Sequence, residues 1–200
     1  MKILLLGHSS YIGRYLSKFI TETIADARIV SISREQLDFS SIDIDAQFAN
    51  LVTQVEPDVI INCIGGIDSG TLVDAQRLFI SNFLPTFLLF DFFKENPRRG
   101  RTLIIILGSK AAGEPRKKYP LYAATKGAEL ALSRTAQEVF DGTQVNWKYV
   151  VVPRLKGGLG SISHPILELD ADQDQELLKI GHLIGDIIMQ EKLFANSENE

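Results

Sequence analysis

Short apolar runs alternate along this chain with longer segments in which apolar positions recur at helical spacing. The runs lie at 2–6, 27–32, 57–64, 102–107 and 145–152. The helical patterns lie near 11–24, 43–55, 71–94, 120–140 and 172–192. Because strands that are apolar at every position are buried on both faces, the pattern predicts a parallel sheet with helices on each side, which is a doubly wound α/β fold. Functional residues are expected directly after the runs, because ligands bind at the carboxyl ends of such strands.

Length, charge and cysteine content limit the kinds of partner. The 200 residues, 45% of them hydrophobic, suffice for one core, so we predict one domain over 1–194 and a polar tail over 195–200. A net charge of −4 with scattered basic residues argues against nucleic acid and favours a small-molecule partner. The single cysteine, Cys63, excludes an internal disulfide and a cysteine-based zinc site. No metal site, no membrane association and a cytoplasmic location are therefore expected.

The segment "GHSSYIG", from Gly7 to Gly13, joins the first predicted strand to the first predicted helix. Glycines at its two ends permit a tight turn and a close approach of helix and strand, which aims backbone N–H groups at a diphosphate. The middle glycine of the usual pattern is replaced by Ser10 or Tyr11, depending on register, and a capped turn without ligand is the alternative. In this context we predict a dinucleotide loop formed by Gly7, Ser9, Ser10, Tyr11, Ile12 and Gly13.

The end of the second run bears on which dinucleotide is bound. NAD sites place an acidic residue there for the ribose hydroxyls, whereas NADP sites place a cation for the 2′-phosphate. Here Ser33 and Arg34 stand in that position, so the sequence favours NADP(H) over NAD(H), with a solvated Arg34 as the alternative. Asp38 and Phe39 follow, and Asp38 is expected either to cap a turn or to approach the adenine.

Tyr122 and Lys126 lie four residues apart in "YAATK", which places them on one face of the helix predicted near 120–140. A free phenol, with a pKa of about 10, is a weak acid–base group at neutral pH. A neighbouring ammonium group favours the phenolate, so the two side chains can act together in proton transfer. Two ordinary surface residues with this spacing are the alternative.

Three further segments occur in a fixed order around this pair. Ser109 follows the central run thirteen residues before Tyr122, Asn82 stands forty residues before it, and "NCIGG" (62–66) ends the third run. Together with the Tyr-x-x-x-Lys helix and the glycine turn, these segments resemble the short-chain dehydrogenase/reductase family from residue 2 to about residue 155. The resemblance implies a single-domain, Rossmann-like parallel sheet of six to seven strands with helices on both faces.

The resemblance also implies roles for these residues. Tyr122 is the general acid–base, Lys126 assists it and holds the nicotinamide ribose, and Ser109 binds the substrate oxygen. Asn82 steadies a water that relays protons to Lys126. Further cofactor contacts, beside those of Tyr122 and Lys126, are implied for Cys63, Ile64, Gly65 and Pro153.

The implied function is an NADP(H)-dependent oxidoreductase that interconverts a carbonyl and a secondary alcohol. Departures from the family pattern, among them Gly108-Ser109 for paired serines and Pro153-Arg154 for Pro-Gly, keep open a non-catalytic NAD(P)-binding sensor or assembly protein. A second alternative is a nucleotide-sugar reductase or epimerase, because the stretch 37–63 resembles family members that act on nucleotide-linked sugars.

The segment 79–95, "FISNFLPTFLLFDFFKE", is apolar nearly all round a helix, so one face against the sheet does not account for its phenylalanines. The resemblance implies that this helix and the tyrosine-bearing helix pair across a dimer interface. Small residues on the second helix permit close approach, namely Ala123, Gly127, Ala128 and Ala131. We therefore predict a homodimer or homotetramer, with burial under the chain's own loops as the alternative.

Overall fold

The computed structural model describes residues 1–33, 35–41, 43–67, 72–96, 100–114, 116–153 and 171–197. These residues form one sheet whose strands are all parallel and stand in the order β2-β1-β3-β4-β5. The strands are β1 Lys2–Leu6, β2 Arg28–Ile32, β3 Val59–Asn62, β4 Thr102–Ser109 and β5 Val145–Val152. The described residues thus contain five strands, and the prediction of six to seven is not confirmed.

Within the described ranges, six α-helices connect and cover these strands. They are α1 Tyr11–Thr23, α2 Ile44–Val55, α3 Leu72–Leu78, α4 Leu84–Glu95, α5 Pro120–Val139 and α6 Ala171–Ser197. A π-helical turn, Phe79–Phe83, joins α3 to α4, and a 3₁₀ turn, Lys110–Ala112, follows β4. The helix predicted over 71–94 is therefore present, but it is interrupted by the wider turn. None of the helices in the described ranges combines the length and the apolar content that a membrane-spanning segment requires.

The sheet separates two layers of core. Along β4, Leu103, Ile105 and Leu107 pack towards α1 and α6, whereas Ile104 and Ile106 pack towards α2, α4 and α5. Full burial of such a side chain is worth roughly 1.5–3 kcal/mol, and β4 is buried from Thr102 to Gly108. Both faces of the sheet are thus covered, and the predicted doubly wound α/β fold is confirmed.

The order of the strands creates a crevice at one edge. β1 lies between β2 and β3, so the chain leaves β1 towards one side of the sheet and leaves β2 towards the other. The connections after β1 and β3 therefore diverge, and in this topology a ligand binds between them.

Candidate functional site

The turn after β1 is built around two close backbone approaches. Gly7 has a φ of +78°, a conformation that favours glycine, and a Cβ at this position would lie 3.0 Å from the backbone of Cys63 and Ile64. A Cβ on Gly13 would come within 2.8 Å of the His8 Cα. Only glycine fits at these two positions, so α1 begins directly against the end of β1 and beside the loop that follows β3.

Ser10 is the N-cap of α1. Its hydroxyl accepts the N–H of Gly13 at 3.0 Å, which satisfies one of the N–H groups that a helix start leaves unpaired. The carbonyl of Ser9 accepts a hydrogen bond from Arg14 Nη1 at 2.6 Å. Tyr11 and Ile12 form the first turn of α1, so all six residues of the predicted loop lie at the crevice.

The loop after β3 lies on the other side of the crevice. Cys63 donates its N–H to Leu6 at 2.9 Å, which extends the pairing of β3 with β1, and Ile64 donates its N–H to Asn62 Oδ1 at 3.0 Å. Burial raises the pKa of the Cys63 thiol, so the thiol stays protonated and is not a nucleophile. Cys63 contributes to this loop through its backbone. Gly65 faces α5, because a Cβ on it would lie 3.7 Å from Lys126 Nζ.

The end of β2 shows a hydrogen-bonded turn. Ser33 donates its N–H to Gln36 Oε1 at 2.9 Å. Asp38 Oδ1 accepts the N–H and the hydroxyl of Ser40, at 3.0 and 2.8 Å, so Asp38 caps a turn. Phe39 packs against the core with Phe48. Arg34, on which the expected NADP preference depends, lies outside the described residues.

Tyr122 and Lys126 lie one turn apart at the start of α5. Lys126 is only 4% exposed, and its ammonium donates to Glu129 Oε2 at 2.7 Å and to the carbonyl of Leu107 at 3.3 Å. An ammonium has three donors, so one remains without a partner among the described residues. The hydroxyl of the half-buried Tyr122 has no hydrogen-bond partner in the described ranges either. Both groups are therefore available to a ligand.

Asn82 lies in the π-helical turn and is fully buried. Its Nδ2 donates to the carbonyl of Gly66 and to Thr125 Oγ1, both at 3.0 Å. Its Oδ1 accepts the N–H of Gly66 and the hydroxyl of Ser81. An amide side chain offers two donors and two acceptor positions, so all four are used, and Asn82 fixes the loop after β3 against α5. π-Helical turns of this kind are frequent at functional sites.

Ser109 ends β4 beside two other elements. Its hydroxyl accepts the N–H of Ala111 at 3.1 Å, which caps the 3₁₀ turn. Its own N–H donates to the hydroxyl of Tyr149 at 3.3 Å. Ser109 is paired with Val152 in the sheet, so Pro153, the next residue, follows the neighbouring strand end at the same edge.

A buried polar chain, which we call the core relay, runs beneath these residues. It consists of Asn62, Thr86, Glu129 and Lys126: Asn62 Nδ2 donates to Thr86 Oγ1 at 3.1 Å, and Thr86 donates to Glu129 Oε1 at 3.1 Å. Burial raises the pKa of Glu129, against the opposing effects of Lys126 and Thr86. The relay ties β3, α4 and α5 together below the crevice.

The sequence did not reveal Glu129, Thr86 or Tyr149 as parts of this region, and it indicated Asn62 only as the first residue of the segment 62–66. Glu129 had a signal, because it lies three residues after Lys126 and seven after Tyr122, on the same helical face. The structure brings the predicted catalytic residues and the loops after β1 and β3 to one edge of the sheet. In the described ranges, no three acidic, histidine or cysteine side chains cluster as metal ligands would.

These features fit a bound dinucleotide. The turn after β1 is a cradle that a Cβ would fill, and the first turn of α1 directs N–H groups to the position where a diphosphate binds. Lys126 Nζ lies beside Gly65 in the loop after β3, where its remaining donor could bond a ribose hydroxyl. Fold and crevice thus define a doubly wound α/β protein of the dinucleotide-binding class.

Comparison with known proteins agrees with this class. The model of the NAD dependent epimerase/dehydratase family matches residues 3–135, and the chain belongs to this family. No curated protein sequence matches the chain at a significant level. Solved structures with the same fold are described as short-chain dehydrogenases/reductases, and the membership of that family predicted from the sequence is confirmed.

Three solved structures illustrate the likeness. A short-chain dehydrogenase/reductase from Vibrio parahaemolyticus is 16% identical, with a TM-score of 0.70 over 90% of this chain and 89% of that chain. A short chain dehydrogenase from Burkholderia cenocepacia J2315 in complex with NADP is 16% identical, with a TM-score of 0.67 over 82% and 76%. A 3-ketoacyl-(acyl-carrier-protein) reductase from Brucella melitensis complexed with NADH is 19% identical, with a TM-score of 0.64 over 78% and 76%. At these identities the likeness establishes the fold.

Proposed function

We propose that this chain is an NADP(H)-dependent oxidoreductase of the short-chain type that interconverts a carbonyl and a secondary alcohol, with Tyr122 as general acid–base. The observation that carries the proposal is the placement of Lys126. It is buried one turn from Tyr122, is held by Glu129 and Leu107, and lies beside Gly65 in the loop after β3. Family membership and the nicotinamide cofactors of the solved relatives support the same reaction class.

The reaction divides between the cofactor and the chain. The nicotinamide supplies or accepts the hydride when bound. Tyr122 gives its hydroxyl proton to the carbonyl oxygen in reduction and takes it back in oxidation. Ser109 uses its hydroxyl oxygen to cap Ala111, which leaves its hydroxyl hydrogen to bind the substrate oxygen. Lys126 assists Tyr122 from one turn away on α5, as the family resemblance implies, and donates to the ribose.

Asn82 acts in this scheme through the loop that it fixes. Its amide is saturated by Gly66, Thr125 and Ser81, so the amide itself has no position left for the relay water that the family resemblance implies. We assign the cofactor contacts to the predicted residues that follow β1, β2, β3 and β5 at the crevice. The preference for NADP(H) rests on Ser33-Arg34 in place of an acidic residue, and a cytoplasmic location and a homo-oligomer complete the proposal.

Tyr122→Phe tests the proposal, because it removes one oxygen that has no hydrogen-bond partner among the described residues. We expect NADPH oxidation with a panel of aldehydes and ketones to fall by about 10²–10⁴-fold or more. The dissociation constant for NADPH, measured from its fluorescence, should change by less than about twofold. Turnover retained by Tyr122→Phe would refute the assignment. NADPH binding without oxidation of any panel member by the unaltered chain would instead support the sensor alternative.

A nucleotide-sugar reductase or epimerase is the second candidate, favoured by the description of the matching family model. It uses the same Tyr122 and Lys126. Spectroscopic assay of NADPH oxidation with nucleotide-linked 4-keto sugars, beside the simple carbonyl panel, separates the two candidates. Activity with the nucleotide-linked sugars alone would replace the first candidate by the second.

A further inference from the structure

A second phenol, that of Tyr149, stands at the end of β4. β5 pairs with β4 so that Tyr149 lies opposite Ile106, and its side chain reaches forward over Gly108. A Cβ at Gly108 would overlap the ring and hydroxyl of Tyr149. The absence of a side chain at 108 therefore makes the space that the phenol fills, and the phenol oxygen lies 3.3 Å from the nitrogen of Ser109.

The hydroxyl hydrogen of Tyr149 makes no hydrogen bond within the described part of the chain. A tyrosine hydroxyl both donates and accepts, and Tyr149 accepts the N–H of Ser109. No group in the described ranges accepts its hydrogen, and the side chain is only partly buried. A ligand in the crevice beside Ser109 can therefore receive it.

Burial keeps the hydrogen of Tyr149 in place. It is the largest cause that raises the pKa of the phenol, the nearby carboxylate of Glu129 raises it further, and the hydrogen bond from the Ser109 N–H lowers it by less than either. Tyr149 is thus a permanent donor at neutral pH, unsuited to the proton transfer assigned to Tyr122.

We propose that Tyr149 is a third hydroxyl of the substrate site and that it selects carbonyl substrates with a second oxygen on the carbon next to the reacting one. This inference rests on the proposed function. Ser109 and Tyr122 bind the reacting oxygen, so the hydrogen of Tyr149 needs another acceptor. Because Tyr149 is bonded to the amide of Ser109 itself, that acceptor belongs to the adjacent position of the substrate, as in a 2-hydroxyketone.

Two probes that differ by one hydroxyl test the inference: butan-2-one and 3-hydroxybutan-2-one. Their binding to the NADPH-loaded chain is measured from NADPH fluorescence in a Tyr122→Phe background, where turnover does not interfere. We expect the hydroxyketone to bind about three- to tenfold more tightly, as one neutral hydrogen bond allows. Adding Tyr149→Phe keeps the ring over Gly108 but removes the hydroxyl. It should weaken the binding of the hydroxyketone alone, so that the two dissociation constants become about equal.

The inference is overturned if the dissociation constants of the two probes are equal when Tyr149 is present. It is also overturned if Tyr149→Phe leaves the ratio of these dissociation constants unchanged. Tyr15→Phe is the matched control, because it removes a phenol oxygen on α1, where Tyr15 stacks on Phe19, and it should leave the ratio unaltered. NADPH oxidation by the Tyr122-containing chain is followed with the same probes. If the ratio of dissociation constants depends on Tyr149 but neither probe is turned over, only the proposed reaction is refuted. If the probes are turned over but Tyr149→Phe leaves the ratio unchanged, only the role of Tyr149 is refuted.

Discussion

Lys126 Nζ lies 2.7 Å from Glu129 Oε2, and both side chains are almost completely buried. Removing two charges from water costs free energy that their attraction and further hydrogen bonds must offset. Here Leu107 and Thr86 provide those further hydrogen bonds. The lysine that is proposed to assist Tyr122 is therefore also one half of a structural ion pair, and its two roles can be separated experimentally.

Breaking the pair from one side should be costly. Glu129→Ala leaves the ammonium of Lys126 buried without its partner and Thr86 without its acceptor, and we expect a loss of about 3–5 kcal/mol in the free energy of unfolding. Lys126→Met combined with Glu129→Ala should cost less than the sum of the single changes. Urea unfolding of the four proteins measures this coupling. Glu22→Gln, which breaks an exposed pair with Lys18, is the control and should cost less than about 0.5 kcal/mol; strict additivity at 126 and 129 would contradict the prediction.

The same carboxyl group should make stability depend on pH. The pKa of Glu129 is raised by burial, so the folded chain binds a proton more tightly here than the unfolded chain. The stabilising effect of this protonation is fully present below the unfolded pKa of about 4.3 and is lost as pH rises through the folded value. The stability difference between the unaltered chain and Glu129→Gln should therefore decrease with rising pH over that window. Unfolding curves at a series of pH values measure it, and a difference that grows with pH would show the opposite shift.

Gly108 and Tyr149 should be energetically coupled. Gly108→Ala introduces a methyl group where the Tyr149 ring lies, and such overpacking costs typically about 1–3 kcal/mol. Tyr149→Leu removes the obstructing ring atoms, so the second change should cost less in the Gly108→Ala background than alone. Thermal or urea unfolding detects the coupling. Gly113→Ala, where an added Cβ meets nothing within 4 Å, serves as control.

The aromatic row Phe79, Phe83 and Phe87 should lie at an interface between copies of the chain. Neighbouring rings of this row are 6.2 Å apart, and Phe79 and Phe87 remain 46% and 39% exposed. Combined Phe79→Glu and Phe87→Glu should shift the chain from dimer or tetramer to monomer in sedimentation velocity, without lowering the helix content. Leu193→Glu, an equally polar change at an exposed position of α6, should leave the assembly unchanged. A monomeric unaltered chain would contradict the predicted homo-oligomer.

Periodicity alone predicted most of the fold, because the centres of β1, β3 and β4 are runs of apolar residues, and α1 and α5 each carry exposed polar positions. It also placed Tyr122 and Lys126 together, since helix geometry fixes residues four apart. Tyr149 was not predictable in this way, because its position over Gly108 depends on the register between β4 and β5, which neither strand encodes by itself. That Glu129 is a buried polar residue could be recognised only from the orientation of α5 in the structure. The number of strands predicted from the family resemblance was not confirmed, and residues 154–170 lie outside the described part of the chain.

The π-helical turn between α3 and α4 has a consequence for how this chain tolerates change. Asn82, inside the turn, reaches Gly66 and Thr125, and Thr86 in the following turn reaches Glu129, which lies one turn after Thr125 on α5. Asn82 and Thr86 therefore face the same side of α5, and both are fully buried. A substitution that shifts this helical segment at the crevice should for that reason also disturb the polar contacts beneath it, so the two regions are expected to change together.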